Sequence, residues 1–299
     1  MSSRDDSSGL TDWQSLSAQA SLASHRLIGW IYWDPDAISR YAKLGVENGL
    51  GYYIATRCAP LASAGDEVVI AACYSIHADF IRLALKLARE NTTFEDAYRV
   101  RNEAVVRGLN EYVKDLVDDL GKMSGDLWQA AESLPLSGRV LYSAHLAWPR
   151  CEDQPALSAW LAINCIREWR GDTHWAILAA HEISGVQAGL LHDAFLGYPG
   201  DWIPRSRGAN DAQLDEAWSL LDQRGYVTDR KINSAGLEFR QQLEDKTNQL
   251  SERAWRNLGE EKTQKFCDLV LPHSKTLLSR IDQTAGENWM PAARNSRRK

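Results

Sequence analysis

Apolar residues recur at helical spacing along nearly the whole chain, and polar caps, glycines and prolines mark where each run begins and ends. Thr11 or Asp12 can cap a helix carrying Trp13, Leu16, Leu22, Leu27 and Ile28. Asp34-Pro35 is a cap followed by proline at the first helical position, and the helix it opens carries Ile38, Tyr41, Leu44 and Val46 up to Gly49. Asp66 opens an apolar run from Val68 to Phe80, interrupted by Ser75 and His77. The pattern from Phe94 to Leu120 predicts one long amphipathic helix, and Leu134 to Trp148 reads as a connector. Pro155 starts a helix that the sequence ends at Gly171, with Asp172 capping a second helix to Ile183. Gly185 precedes a helix with Leu190, Leu191, His192 and Phe195. A Pro/Gly-rich loop follows from Gly197 to Gly208, and Asn210 or Asp211 caps the next helix to Gly225. Tyr226 to Ile232 suits a short β-ribbon, Ser234 opens a helix from Leu237 to Leu250, and a last helix runs from Gly259 to Ile281.

These elements predict a mainly α fold in which an N-terminal helical domain (residues 12–150) packs on a C-terminal winged-helix-like domain with a small β-wing (residues 151–285). Residues 1–11, rich in Ser, Asp and Gly, are expected to be a disordered tail, and residues 286–299 a basic one.

The order of helix, short helix, loop, helix, two-strand wing and helix is that of a winged helix-turn-helix. Leu221-Asp-Gln-Arg224-Gly225-Tyr226-Val227 and Ile232-Asn-Ser234-Ala235-Gly236-Leu237 resemble the wing region of MarR-like proteins. Three further stretches resemble an actinobacterial family of unassigned function described as MarR-like or helix-turn-helix. They are Arg57-Cys-Ala-Pro60-Leu61 with Tyr74-Ser-Ile-His77, Arg167 through His174, and Trp255 with Leu258-Gly259-Glu260. The resemblance covers roughly residues 30–280 and implies a winged-helix fold. The chain departs from it at Ser75, where Asn is common, and around His145, which points to a ligand of its own.

Charge changes what that fold implies. The net charge is −6, so nothing draws the whole molecule towards nucleic acid or an anionic membrane. The helix in the groove-reading position, Asn210 to Arg224, holds Asp211, Asp215, Glu216 and Asp222 against Arg224 alone, where phosphate and guanine contacts need donors. DNA is therefore not the expected partner, and Arg205, Arg207 and Arg230 are the best DNA-facing residues left. Five scattered cysteines without CxxC spacing fit reduced thiols in a cytoplasm. No apolar run reaches the roughly 18 residues of a membrane helix.

Arg167 to His174 is the densest ionisable stretch, with two Arg, two acids and a His among apolar helices. Buried unpaired, such groups are costly, so they form an ion network or a site. As a site, Arg57 and Arg170 would hold a ligand carboxylate. His77 and His174 would move protons, with Asp172 orienting His174. Trp33, Tyr53 and His192 would complete the substrate-binding wall. His77, His174 and His192 would suit zinc or iron if they converged, but their spacing gives no reason for it, and no metal or other cofactor is expected. Phosphate-loop, dinucleotide and nucleophile-elbow motifs are missing from the sequence.

The expected function is that of a cytoplasmic small-molecule-binding protein. It would be a cofactor-free acid–base enzyme of specialised metabolism, acting on an anionic substrate, with aromatic acids as candidates, and working as a homodimer. The alternative is a MarR-like, ligand-responsive regulator that binds DNA as a dimer.

Overall fold

The computed structural model describes residues 11–295. The expected N-terminal tail, apart from Thr11, and residues 296–299 of the basic tail lie outside the described residues. In chain order the α-helices are α1 (Trp13–Gly29), α2 (Pro35–Ala42), α3 (Tyr52–Arg57), α4 (Asp66–Cys73), α5 (Ala78–Asn91), α6 (Phe94–Tyr112), α7 (Lys114–Lys122) and α8 (Ser124–Glu132). They continue as α9 (Val140–Leu146), α10 (Pro155–Ala180), α11 (Gly185–Leu196), α12 (Trp202–Ser206), α13 (Asp211–Gln223), α14 (Ser234–Leu258), α15 (Glu260–Val270) and α16 (Ser274–Asp282). Two antiparallel strands, β1 (Val227–Thr228) and β2 (Lys231–Ile232), form a small ribbon, with Val227 opposite Ile232.

Several helix starts follow from local chemistry alone. Asp12 accepts from the Ser15 amide, Asp34 from the Ala37 amide, and Asn210 and Gln213 form a reciprocal capping box. Elsewhere tertiary packing overrides the local signal. The helix expected to end at Gly171 continues to Ala180 as α10. One glycine costs a helix about 1 kcal/mol. The buried stripe of Ile166, Trp169, Thr173 and Ile177 runs straight past it. Conversely, the long helix expected over Phe94–Leu120 breaks at Val113 (φ −144°, ψ 44°), which is buried in the core. Part of the expected connector is α9. Helix α14 runs on to Leu258, and a 3-10 turn over Leu271–His273, holding Pro272, separates α15 from α16.

The core does not divide near residue 150. One continuous buried cluster runs from Leu16 to Ile281, drawing on α1, α10, α14, α15 and α16 alike. Helix α10 is at its centre because it is apolar all round through its first half: Trp160, Ala162 and Ile163 are fully buried, and the Trp160 indole N–H donates to Leu27 O at 2.9 Å. The described part of the C-terminal tail also packs. Arg26 of α1 donates to Ala293 O and Asn295, and Met290 lies against Gly29. A smaller core, centred on Leu178, Leu190, Leu214, Leu221 and Phe239, belongs to the end of α10, the helix-turn-helix segment and the start of α14.

The smaller core reaches a tight joint between α4 and α5, two helices that carry a third buried cluster around Val69, Cys73, Ile81 and Leu85. Tyr74 sits there with φ 39° and donates its hydroxyl to Ile183 O at 2.6 Å, while Gly185 is so close that a Cβ would lie 2.6 Å from Ser75 Cα. A side chain at 185 would force the helix-turn-helix segment away from this joint.

Candidate functional site

A cavity of about 1000 Å³ lies where the joint, α1, α3, the second half of α10 and helices α11, α12 and α14 come together. That is the upper end of the range for small-molecule sites, roughly 300–1,000 Å³. The continuity of α10 explains why it lines this space. Arg167, Gly171, His174 and Leu178 recur every three or four residues and face the cavity. Asp172 is on the other side of the helix and accepts from the Tyr142 amide of α9 at 3.0 Å. It therefore does not orient His174, contrary to expectation: two residues apart on a helix means opposite faces. Burial pushes the Asp172 carboxyl up to about 7.

One side of the cavity is a closed ion network. Arg57 holds Glu168 with two hydrogen bonds of 2.8 and 2.6 Å, and Arg167 adds a third at 2.7 Å. Glu168 is 1% exposed, and its two guanidinium partners hold it well below the usual carboxylate range despite burial. Arg57 also donates to Tyr53 Oη at 2.9 Å. Its backbone carbonyl accepts from His145 Nε2 at 2.8 Å, and Asn164 Nδ2 faces the other ring nitrogen at 3.3 Å. Burial lowers His145 to about 4, so it is a neutral fastener for α3.

The opposite side is built on Glu244 of α14. Arg170 pairs with it and donates to Asn248 Oδ1 at 2.9 Å. Arg240 approaches the same carboxylate at 3.5 Å, lies 3.8 Å over the Phe195 ring and donates to His192 Nδ1 at 3.1 Å. His192 is thereby fixed with its hydrogen on Nε2. His174 has the opposite tautomer. The Thr247 hydroxyl donates to Leu243 O at 2.7 Å, so it accepts from His174 Nδ1–H at 2.9 Å and leaves Nε2 as a bare acceptor. Burial lowers His174 to about 4 and His192 to about 3, keeping both neutral at physiological pH.

The expected site residues thus separate. Arg57, Arg170, His174, His192, Trp33 and Tyr53 line the cavity. His77 does not: it is the N-cap of α5, its Nδ1 accepting from the Asp79 amide at 3.3 Å. Among the described residues no group of three His, Cys, Asp or Glu side chains is placed to hold a metal ion, and His77 is apart from His174 and His192. Arg207, expected to face DNA, turns inward and lines the cavity.

Sequence reading missed His25, Arg240, Glu244, Trp202 and Trp289, all in the cavity wall. Arg240 and Glu244 carried a usable signal, an opposite-charge pair four residues apart on an otherwise buried helix face. Both His25 ring nitrogens are buried without a hydrogen-bond partner, and burial holds its pKa well below the ordinary value. The aromatic lining is continuous. Trp33 stacks on Tyr53 with ring centres 5.9 Å apart and touches Trp289 at 4.4 Å, and Trp289 meets Trp202 edge-on at 5.4 Å.

Against known proteins, residues 17–283 match the model of a helix-turn-helix family. The chain belongs to that helix-turn-helix family. No curated protein and no solved structure shows a match. In this helix-turn-helix protein α11 and α12 form part of the cavity wall. The exposed face of α13 shows Asp211, Asp215, Glu216 and Asp222. Its neighbouring cations are tied to those acids: Arg205 to Asp211 at 2.9 Å and Arg230 to Asp215 at 2.7 Å. No helix among the described residues is long and apolar enough to cross a membrane.

Proposed function

We propose that this helix-turn-helix protein binds a small molecule with a flat apolar body and a negative charge, held in the cavity between the main core and the helix-turn-helix segment. The observation that carries the reading is the charge of the lining. Seven guanidinium groups line it against only two carboxylates, Glu168 and Glu244. Arg205 and Arg294 pair outside the lining with Asp211 and Asp282, which leaves Arg57, Arg167, Arg170, Arg207 and Arg240 to those two, while His174 and His192 are neutral. A surplus of buried positive charge is costly to maintain empty. The ring wall from Tyr53 to Trp202 suits an aromatic body.

Binding accounts for more of the geometry than acid–base catalysis does. His77 caps a helix, Asp172 faces away, and His174 and His192 titrate too low to exchange protons efficiently near neutral pH. The test is calorimetric titration of the full chain with 1-naphthoate and with 1-naphthalenemethanol, which share a ring system and differ in charge. The expected result is at least tenfold tighter binding of the acid. Equal affinities, or no binding of either, would overturn the reading.

A second reading has specific support. Because α11 and α12 line the cavity and lead into α13, a ligand there would touch the segment that positions a groove-reading helix, as in a ligand-responsive regulator of MarR type acting as a dimer. The acidic face of α13 weighs against DNA as the output. A mobility shift with the neighbouring promoter at low salt, released by the ligand, would establish the regulator. No shift at low salt would remove it and leave the binding reading intact.

A further inference from the structure

We infer that Arg207, together with Ser75, is the subsite that receives the ligand's anionic group, a carboxylate or a phosphate. The inference rests on the ligand-binding reading above and refines it, because the arginines that sequence alone would choose, Arg57 and Arg170, are already engaged. Arg57 shares Glu168 with Arg167, and Arg170 shares Glu244 with Arg240. An arriving anion at either place would compete with an existing carboxylate for the guanidinium, although Nε of Arg167 and of Arg170 has no hydrogen-bond partner.

At Arg207 nothing has to be displaced. Among the described residues its side-chain partner is the Ser75 hydroxyl, 2.9 Å from Nη1, and no carboxylate forms an ion pair with it. The carboxylate that acts on it without pairing is Asp193, whose two oxygens already accept from the Ile203 amide at 3.0 Å. Burial lowers the Arg207 pKa. The Ser75 oxygen accepts from Arg207, so its own O–H is left to donate. Guanidinium and hydroxyl therefore offer an oxyanion several donors at one point.

The subsite is built and not incidental. Arg207 O accepts from the His77 amide at 2.8 Å. Gly208 follows with φ 93°, where a Cβ would lie 2.8 Å from His77 Cβ, so glycine is required for α12 to dock this closely. These contacts bring Arg207 from α12 and Ser75 from the α4–α5 joint onto the same wall. An anion bound there would bridge the helix-turn-helix segment to the rest of the molecule.

The test is calorimetry on the full chain with 1-naphthoate, 1-naphthyl phosphate and the uncharged 1-naphthalenemethanol, using Arg207→Gln, Arg207→Lys, Ser75→Ala and Arg170→Gln. Whichever charged probe the wild type prefers identifies the anion. Arg207→Gln should bring its advantage over the alcohol from at least tenfold to within about twofold while the alcohol binds as before. Arg207→Lys should keep part of the advantage, and Ser75→Ala should lose several-fold of it, which secures the result if Arg207→Gln folds poorly. Arg170→Gln should retain most of it. If the advantage survives in Arg207→Gln and Ser75→Ala but disappears in Arg170→Gln, the subsite is misplaced while the ligand-binding reading stands. If the wild type binds none of the probes, or all equally, both fail.

Discussion

Arg101 and Arg207 are two arginines with no carboxylate in contact among the described residues, yet their surroundings are opposite. Arg101 is fully buried in the main core. Its guanidinium lies 4.0 Å over the Tyr98 ring and 5.1 Å from the Trp160 ring, and donates twice to Asn102 Oδ1, at 2.6 and 3.1 Å. The aromatic faces supply the compensation that a carboxylate would otherwise give. Arg207 has a serine hydroxyl and an open cavity. The difference separates a cation enclosed by fixed aromatic and amide partners, with Nη1 alone buried and without a hydrogen bond, from one that faces open space in the cavity.

Substitution should separate the two most strongly. Arg101→Ala removes a large, fully buried side chain and its ring contacts, and should cost about 3–5 kcal/mol with no selective effect on anion binding. Arg207→Gln should change stability by less than about 1 kcal/mol, since it removes an uncompensated charge. Chemical denaturation of both variants checks this. A large loss from Arg207→Gln would mean that the fold depends on Arg207 as it does on Arg101.

The next contrast is along α10, between the cavity face and Asp172 behind it. Folding raises the Asp172 carboxyl from 3.8 to about 7, mainly through burial. Between those values the folded state binds a proton that the unfolded state releases, so stability falls as pH rises from about 4 to 7 and levels off above. Asp172→Asn keeps an acceptor for the Tyr142 amide and removes the penalty. It should stabilise the chain by about 2 kcal/mol at pH 8 and by nothing at pH 4, as thermal melts at the two pH values would show. Ligand affinity should be unchanged, whereas a catalytic or orienting Asp172 would affect it.

A smaller effect is expected from Gly171, on the cavity face of the same helix. A Cβ there would meet only Glu168 Oε2, at 3.8 Å. Gly171→Ala should therefore raise stability by about 0.5–1 kcal/mol while placing a methyl group in the cavity and weakening probe binding. Stabilisation without weaker binding would put the ligand elsewhere.

Helix caps at Asp12, Asp34 and Asn210 and the two-strand ribbon were legible in the sequence because each is set by residues close together in the chain. The continuity of α10 was not, since Gly171 is a local stop signal that long-range burial overrides. That one error also hid the site's geometry: with α10 broken, Asp172 looked like a cap beside His174, whereas on a continuous helix the two face opposite ways. Arg57 and Arg170 were legible as buried cations. Their partners Glu168 and Glu244, and the inward turn of Arg207, depend on contacts between distant segments that spacing does not encode.

The most direct measurement is a crystal structure of the full chain soaked with 6-bromo-2-naphthoate, located by bromine anomalous scattering. The account predicts a bromine peak against Trp33, Trp202 and Trp289, with the carboxylate on the Arg207 guanidinium and the Ser75 hydroxyl. A cavity without the probe, or a probe whose carboxylate sits on Arg170 with Glu244 pushed aside, would contradict it.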